Sequence, residues 1–172
     1  MELTALFQII LVLRYRFIGG LVKLYLSLLG CKVGKGLKCY SFPKFKDIPK
    51  GNIKIGNHVA MGTGVVFEIA KSGQLRIDDH VTLGDFNRLS TTDSIQIGPW
   101  TAIAEMVSIR GSFHQIAKGT EIVKQGTDAA PIHIGRDVLI GAKSTVLGGA
   151  EIPNGVVQLV TPLYIQSHTP VL

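Results

Sequence analysis

The sequence predicts a mainly β protein: a parallel β-helix of hexapeptide repeats with an N-terminal helical segment. Three observations predict it. Apolar residues recur every six positions, glycine often follows them directly, and a small or β-branched residue usually stands four places on. Ile134, Ile140, Val146 and Ile152 keep this beat, as do Ile55, Met61 and Phe67, then Ile77, Leu83 and Leu89, then Ile97, Ile103 and Ile109. Gly56, Gly62, Gly84, Gly98, Gly135 and Gly141 follow the apolar residue. Val59, Val65, Val81, Thr101, Val107, Val138, Ser144, Ala150 and Val156 fill the later place. Neither a helix nor a strand has this period alone, whereas short strands wound coil on coil do.

Three hexads make one triangular coil, with the apolar residue inward and the glycine easing the corner. One coil cannot bury its own apolar residues, so several must stack, each strand about 4.8 Å from the next. The spacing gives roughly four coils between Ile53 and Val157. The phase breaks at Lys71-Ser72-Gly73, between Leu89 and Ile97, and most widely from Gly111 to Pro131. A long unpatterned stretch inside a compact domain is usually functional. The organisation expected is a basic amphipathic helical segment over 1–40, the β-helix over 41–157 with an inserted loop at 111–131, and an atypical tail over 158–172.

Charge separates the N-terminal segment from the rest. Residues 1–50 carry +7 and residues 51–172 carry −1, within a net +6. Leu3, Leu6, Phe7 and Ile10, then Leu21, Leu24, Tyr25 and Leu28, fit helical spacing, interrupted by Arg14, Arg16 and Lys23. Gly19-Gly20 should break or bend this helix, and Gly30 could cap it. Eighteen uninterrupted apolar residues are absent, which disfavours a spanning helix. Contact of residues 1–38 with an anionic membrane surface is one reading. Packing on the solenoid or between subunits is the other. Nucleic acid is not expected, because the solenoid has no basic stripe or aromatic platform. Cys31 and Cys39 are too few for a disulfide framework and lack metal-ligand spacing. The segment also lacks the marks of a cleavable signal peptide, so a cytoplasmic location, peripheral on the inner membrane, is expected.

The candidate chemistry gathers around the largest break. Val107-Ser108-Ile109-Arg110-Gly111-Ser112-Phe113-His114 leads into it, and Pro131-Ile132-His133-Ile134-Gly135-Arg136-Asp137-Val138-Leu139-Ile140-Gly141-Ala142 follows it. This pair of segments resembles the hexapeptide-repeat acetyltransferases, in particular O-acetyltransferases of bacterial surface polysaccharides. The resemblance implies a left-handed helix, a homotrimer with sites between neighbours, and acetyl-CoA as cosubstrate without a metal. It implies a sugar or lipid-linked oligosaccharide as acceptor. It makes His114 the general base and lines the coenzyme A cleft with residues 134–142. Leu139, Gly141, Ala142 and Ser144 are the expected cofactor residues. Asn87 and Asp85 compete to bind the acceptor, and Glu105 and Arg110 could orient His114 or meet an acidic sugar.

The chemistry is sensible. Imidazole titrates near neutrality and can take the proton as a hydroxyl attacks the thioester directly, with backbone N–H groups receiving the oxyanion. Asn87 also breaks the small-residue rule of its hexad, a site signal in itself. His58 and His80 occupy matching corner places and are expected to be structural or exposed. His133 could flank the cleft.

Three departures qualify the resemblance. Gly111 stands where many look-alikes are acidic, Leu139 where many have Trp, and the beat stops after Val157. A trimeric scaffold without turnover is therefore one alternative, and an amino-sugar N-acetyltransferase another. A zinc site like that of the γ-class carbonic anhydrases would need a ligand at position 119, which is Gly119.

Overall fold

The architecture, taken from a computed structural model that describes residues 3–158, is a triangular solenoid with one long helix against its side. Coil one holds β1 (Lys32–Val33), β2 (Lys38–Cys39) and β3 (Lys44–Phe45). Coil two holds β4 (Ile53–Ile55), β5 (Ala60–Met61) and β6 (Val66–Ile69), and coil three β7 (Gln74–Ile77), β8 (Thr82–Leu83) and β9 (Arg88–Thr91). Coil four holds β10 (Ser94–Ile97), β11 (Ala102–Ile103) and β12 (Ser108–Arg110). A hairpin of β13 (Ser112–His114) and β14 (Thr127–Ala129) then interrupts the winding. Coil five holds β15 (Ile132–Ile134), β16 (Leu139–Ile140) and β17 (Thr145–Leu147), and β18 (Glu151–Ile152) and β19 (Val157–Gln158) begin a sixth turn.

The strands sort into three parallel sheets. Sheet A is β1-β4-β7-β10-β15-β18, sheet B is β2-β5-β8-β11-β16-β19, and sheet C is β3-β6-β9-β12-β17. Register is in phase with the hexads: Ile55 lies over Ile77, Ile77 over Ile97, Ile97 over Ile134 and Ile134 over Ile152. Phe67, Leu89, Ile109 and Val146 stack the same way in sheet C. All of these are buried. Each contributes roughly 1.5–3 kcal/mol by leaving water. The solenoid starts at Lys32, a coil earlier than the spacing indicated. Val33, Cys39 and Phe45 keep the six-residue beat there.

The corners correct the expected role of glycine. Gly56, Gly62, Gly84, Gly98, Gly135 and Gly141 do not have positive φ; that conformation falls two places later, on His58, Gly64, Phe86, Trp100, Asp137 and Lys143, and on His80 and Met106 at the corners that begin with Asp78 and Ala104. Gly56, Gly62, Gly84, Gly98 and Gly135 are needed because the next coil lies against them. A Cβ on Gly62 would stand 2.4 Å from the Asp85 carboxylate and 2.7 Å from the Asp85 backbone nitrogen. The same carboxylate accepts the Thr63 N–H at 2.6 Å. Asn57 does this for Lys35, Asp79 for Asn57 and Asn154 for Arg136. Those hydrogen bonds, led by the Asn57 backbone N–H, hold the Asp79 carboxyl below its usual range.

Helix α1 (Leu3–Leu28) passes through Gly19-Gly20 without a break. The expectation of a bend fails because Gly19 is where the helix meets the solenoid. A Cβ there would lie 2.1 Å from the Leu37 carbonyl oxygen. Val22 and Leu26 are buried in the same contact. Tyr15 packs on Tyr40 with ring centres 4.1 Å apart, and Tyr25 meets Phe42 and Phe45. Gly30, at φ 77°, caps the helix: its N–H reaches the Ser27 carbonyl and the Cys31 N–H reaches that of Leu26. No helix among the described residues is long and apolar enough to cross a membrane.

Two outcomes test this account. Gly62→Ala should lower the unfolding free energy by about 2–4 kcal/mol, because rigid backbone blocks the new methyl. Lys143→Gly should leave stability unchanged or raise it by about 1 kcal/mol, since it relieves a left-handed side chain. Thermal unfolding of both variants reads the contrast. Burial also pushes the Cys39 thiol from 9.0 up to about 12. The unfolded chain therefore ionises first as pH rises, and stability should fall between pH 9 and 12. Cys39→Ser should flatten that part of the pH–stability curve.

Candidate functional site

Two groups of candidate residues occupy different edges of the prism. The first surrounds the hairpin at the corner leading from sheet C to sheet A. Gly111 is buried there, and a Cβ would meet the Thr91 hydroxyl at 2.4 Å. A larger residue at this position would have to displace the Thr91 side chain. Ser112 pairs with Ala129 and His114 with Thr127. Gln115 bonds Asp128 at 2.8 Å, and Gln125 spans the turn to the Ala117 and Thr120 carbonyls. The strand pairing and these bonds hold the hairpin. His114 is exposed on it, and exposed Arg110 lies at its base.

Beyond the hairpin, the outer face of sheet A forms an open cleft of about 690 Å³. Gln96, His133 and Glu151 line it as successive rungs, one from each of coils four, five and six. Arg136, Asp78 and Asn154 complete its polar lining. The cleft was not legible as a site, although its signal was present. Gln96 and His133 are the outward residues between the apolar pairs Ile95/Ile97 and Ile132/Ile134.

The second group lies on the corner between sheets B and C. Asp85, Glu105, Gly141 and Ala142 belong to it, and Lys143 donates its N–H to the Glu105 carbonyl. Asp85 and Glu105 are exposed. The Gly141 N–H is taken by the Gln158 carbonyl at 2.8 Å. Leu139 is exposed just before this corner, on sheet B. Ser144 turns into the core, and its hydroxyl has no hydrogen-bond partner among the described residues.

Asn87 also points inward. It is 1% exposed, accepts the Val107 N–H at 2.8 Å and donates to the Ile103 carbonyl. Thr101 does similar work, bonding the Gly135 carbonyl and the Val138 N–H. Asn87, which breaks the small-residue rule, and Thr101, which keeps it, therefore both stitch neighbouring coils. His58, His80 and Trp100 form an outward stack on the A–B corner, with centroids 5.1 and 4.0 Å apart. No cluster of three or more metal-ligating side chains occurs among the described residues. The tail from residue 159 on, with His168, lies outside them.

The fold is a parallel β-solenoid that matches the left-handed β-helix of known acyltransferases. No protein-family profile matches the chain. It is similar to a probable acetyltransferase of Mycobacterium tuberculosis, 32% identical over 126 residues, which cover 73% of this chain and 40% of that one. It is 28% identical over 115 residues to WbbJ of Escherichia coli K-12, named for lipopolysaccharide biosynthesis O-acetyl transfer, covering 62% of this chain and 59% of that one. The chain thus spans less than two thirds of either relative. In fold it resembles AntD, an N-acyltransferase from Bacillus cereus solved with dTDP and 3-hydroxybutyryl-CoA. The TM-score is 0.64 at 17% identity, over 80% of this chain and 76% of AntD. Sequence and fold both carry the resemblance to hexapeptide-repeat acetyltransferases.

Removing the Asn87 amide would strand a buried Val107 N–H. Asn87→Ala should therefore lower the unfolding free energy by about 1–3 kcal/mol, measured by denaturant titration.

Proposed function

We propose that this protein transfers an acetyl group from acetyl-CoA to a sugar hydroxyl of a bacterial surface polysaccharide or its lipid-linked precursor. The observation that carries the reading is the exposed His114 on a hairpin set into the solenoid at the corner from sheet C to sheet A. The hydroxyl oxygen attacks the thioester carbonyl while the His114 imidazole takes its proton. Collapse of the tetrahedral intermediate breaks the C–S bond, and coenzyme A leaves as a thiol. Arg110 stands at the base of the hairpin, suited to an acidic sugar. Asp85 and Glu105 remain acceptor candidates. Asn87 does not, because its amide is spent inside the core.

The separation of the two groups supports a trimer. One edge carries His114 and the other Glu105, Gly141 and Ala142, with Leu139 beside it. Packing neighbouring prisms side by side would bring the first edge of one copy to the second edge of the next. Coenzyme A would then lie between subunits, along Leu139 and the Gly141–Ala142 corner. Ser144 would support that corner from inside the core. The protein would work in the cytoplasm, with residues 1–38 touching the inner membrane where lipid-linked acceptors reside.

A second reading, N-acylation of an amino sugar, is favoured by the likeness to AntD and to a UDP-3-O-acylglucosamine N-acyltransferase of Cytophaga hutchinsonii, 38% identical over 69 residues. Thiol release from acetyl-CoA with hydroxyl and amino sugars as acceptors separates the two. His114→Ala should cut turnover about 10²–10⁴-fold. Full turnover without the imidazole would remove His114 as base.

A further inference from the structure

Helix α1 has two faces that do different work. Gly19, Val22 and Leu26 are buried against the solenoid. On the opposite side, Ile10, Leu13, Phe17, Leu21, Leu24 and Leu28 follow one another every third or fourth residue. They form a straight stripe about 27 Å long. These six are 44–78% exposed, the exposure of side chains left uncovered by the other described residues. A stripe this long and this apolar is normally covered.

Charge identifies what covers it. From Leu3 to Lys46 the sequence holds no Asp or Glu, while Arg14, Arg16, Lys23, Lys32, Lys35, Lys38, Lys44 and Lys46 are all present and all exposed. Arg14 borders the stripe on one side, and Arg16 and Lys23 on the other. Arg16 and Lys23 also line a pocket of about 260 Å³ between the helix and coil one, with Gly19, Gly20, Gly36 and Leu37 as its other walls. Lys23 reaches the Gly34 carbonyl from there, at 3.1 Å. Two cations and no acidic residue wall this niche. An apolar stripe edged by unpaired cations fits the boundary of a bilayer with negative headgroups.

We propose that α1 docks this protein on an anionic phospholipid surface. The six stripe residues enter the acyl boundary, and a headgroup phosphate sits in the Arg16–Lys23 niche. This rests on the membrane contact proposed above and names the lipid class and the residues that select it. It does not depend on acyl transfer. The helix lies in the plane of the surface because its solenoid-facing side stays occupied.

Flotation of the full chain with vesicles tests the proposal. Vesicles of phosphatidylcholine mixed with phosphatidylglycerol should carry the protein upward, and vesicles of phosphatidylcholine alone should carry far less. Leu13→Ser with Phe17→Ser should abolish flotation, since both side chains are exposed and outside the packed face. Arg14→Gln, Arg16→Gln and Lys23→Gln together should weaken binding to the anionic vesicles by about 100-fold, roughly fivefold for each charge. Circular dichroism confirms that the helix persists in each variant. No flotation with either vesicle overturns the membrane contact itself. Equal flotation with both keeps the contact and overturns the headgroup selection. A fall in the solution mass of the Leu13→Ser, Phe17→Ser variant would assign the stripe to contacts between copies and overturn the proposal. Thiol release from acetyl-CoA, measured on the same proteins, reports the transfer reading separately.

Discussion

The closeness of one coil to the next is the constraint from which the rest follows. At Gly34, Gly56, Gly62 and Gly135 a Cβ would come within 2.4–2.7 Å of a side chain one coil on. That side chain, Asn57, Asp79, Asp85 or Asn154, accepts a backbone N–H of the earlier coil. Polar satisfaction and steric fit thus act at the same corners. They fix the rise per coil, which lets Ile55, Ile77, Ile97, Ile134 and Ile152 stack as one inner column. The same rise sets the outward residues in rungs, so that Gln96, His133 and Glu151 share one cleft.

The winding also decides where insertions go. A segment that leaves the prism must leave at a corner without breaking the ladders on either side. The hairpin does so between β12 and β15, while Ser108 keeps its partners Arg88 and Thr145 within sheet C. Side-chain and backbone bonds close the hairpin on itself, so His114 is presented on a defined strand. The proposed role of His114 as base would need this positioning. Exposed Ile116, Ile122 and Val123 lie around its turn. They would add apolar cover if a neighbouring copy packs there.

The repeat was legible because its period matches one turn of a three-sided helix and no other regular element. The first coil was less legible, since Cys39 and Phe45 stand where most hexads place an aliphatic residue. The role of the corner glycines could not be read, because it depends on a neighbour about twenty residues away. Asn87 showed the limit from the other side. Its departure from pattern was visible, yet a polar residue at an inward place can serve the backbone as readily as a ligand. Gly19-Gly20 misled for a similar reason: helix propensity penalises the pair, and a close approach to Leu37 outweighs the penalty. The sheet A cleft was hidden because its residues are dispersed in sequence and meet only once the coils are in register.

The central claim is that these coils form a working coenzyme A cleft between copies of the chain. Isothermal titration of coenzyme A into the purified protein, with mass measurement in the same buffer, tests it most directly. The account predicts saturable binding to a trimer, with one coenzyme A per subunit. A protein that stays monomeric, or that takes up no coenzyme A at millimolar concentration, would contradict it and leave a scaffold without turnover as the better description.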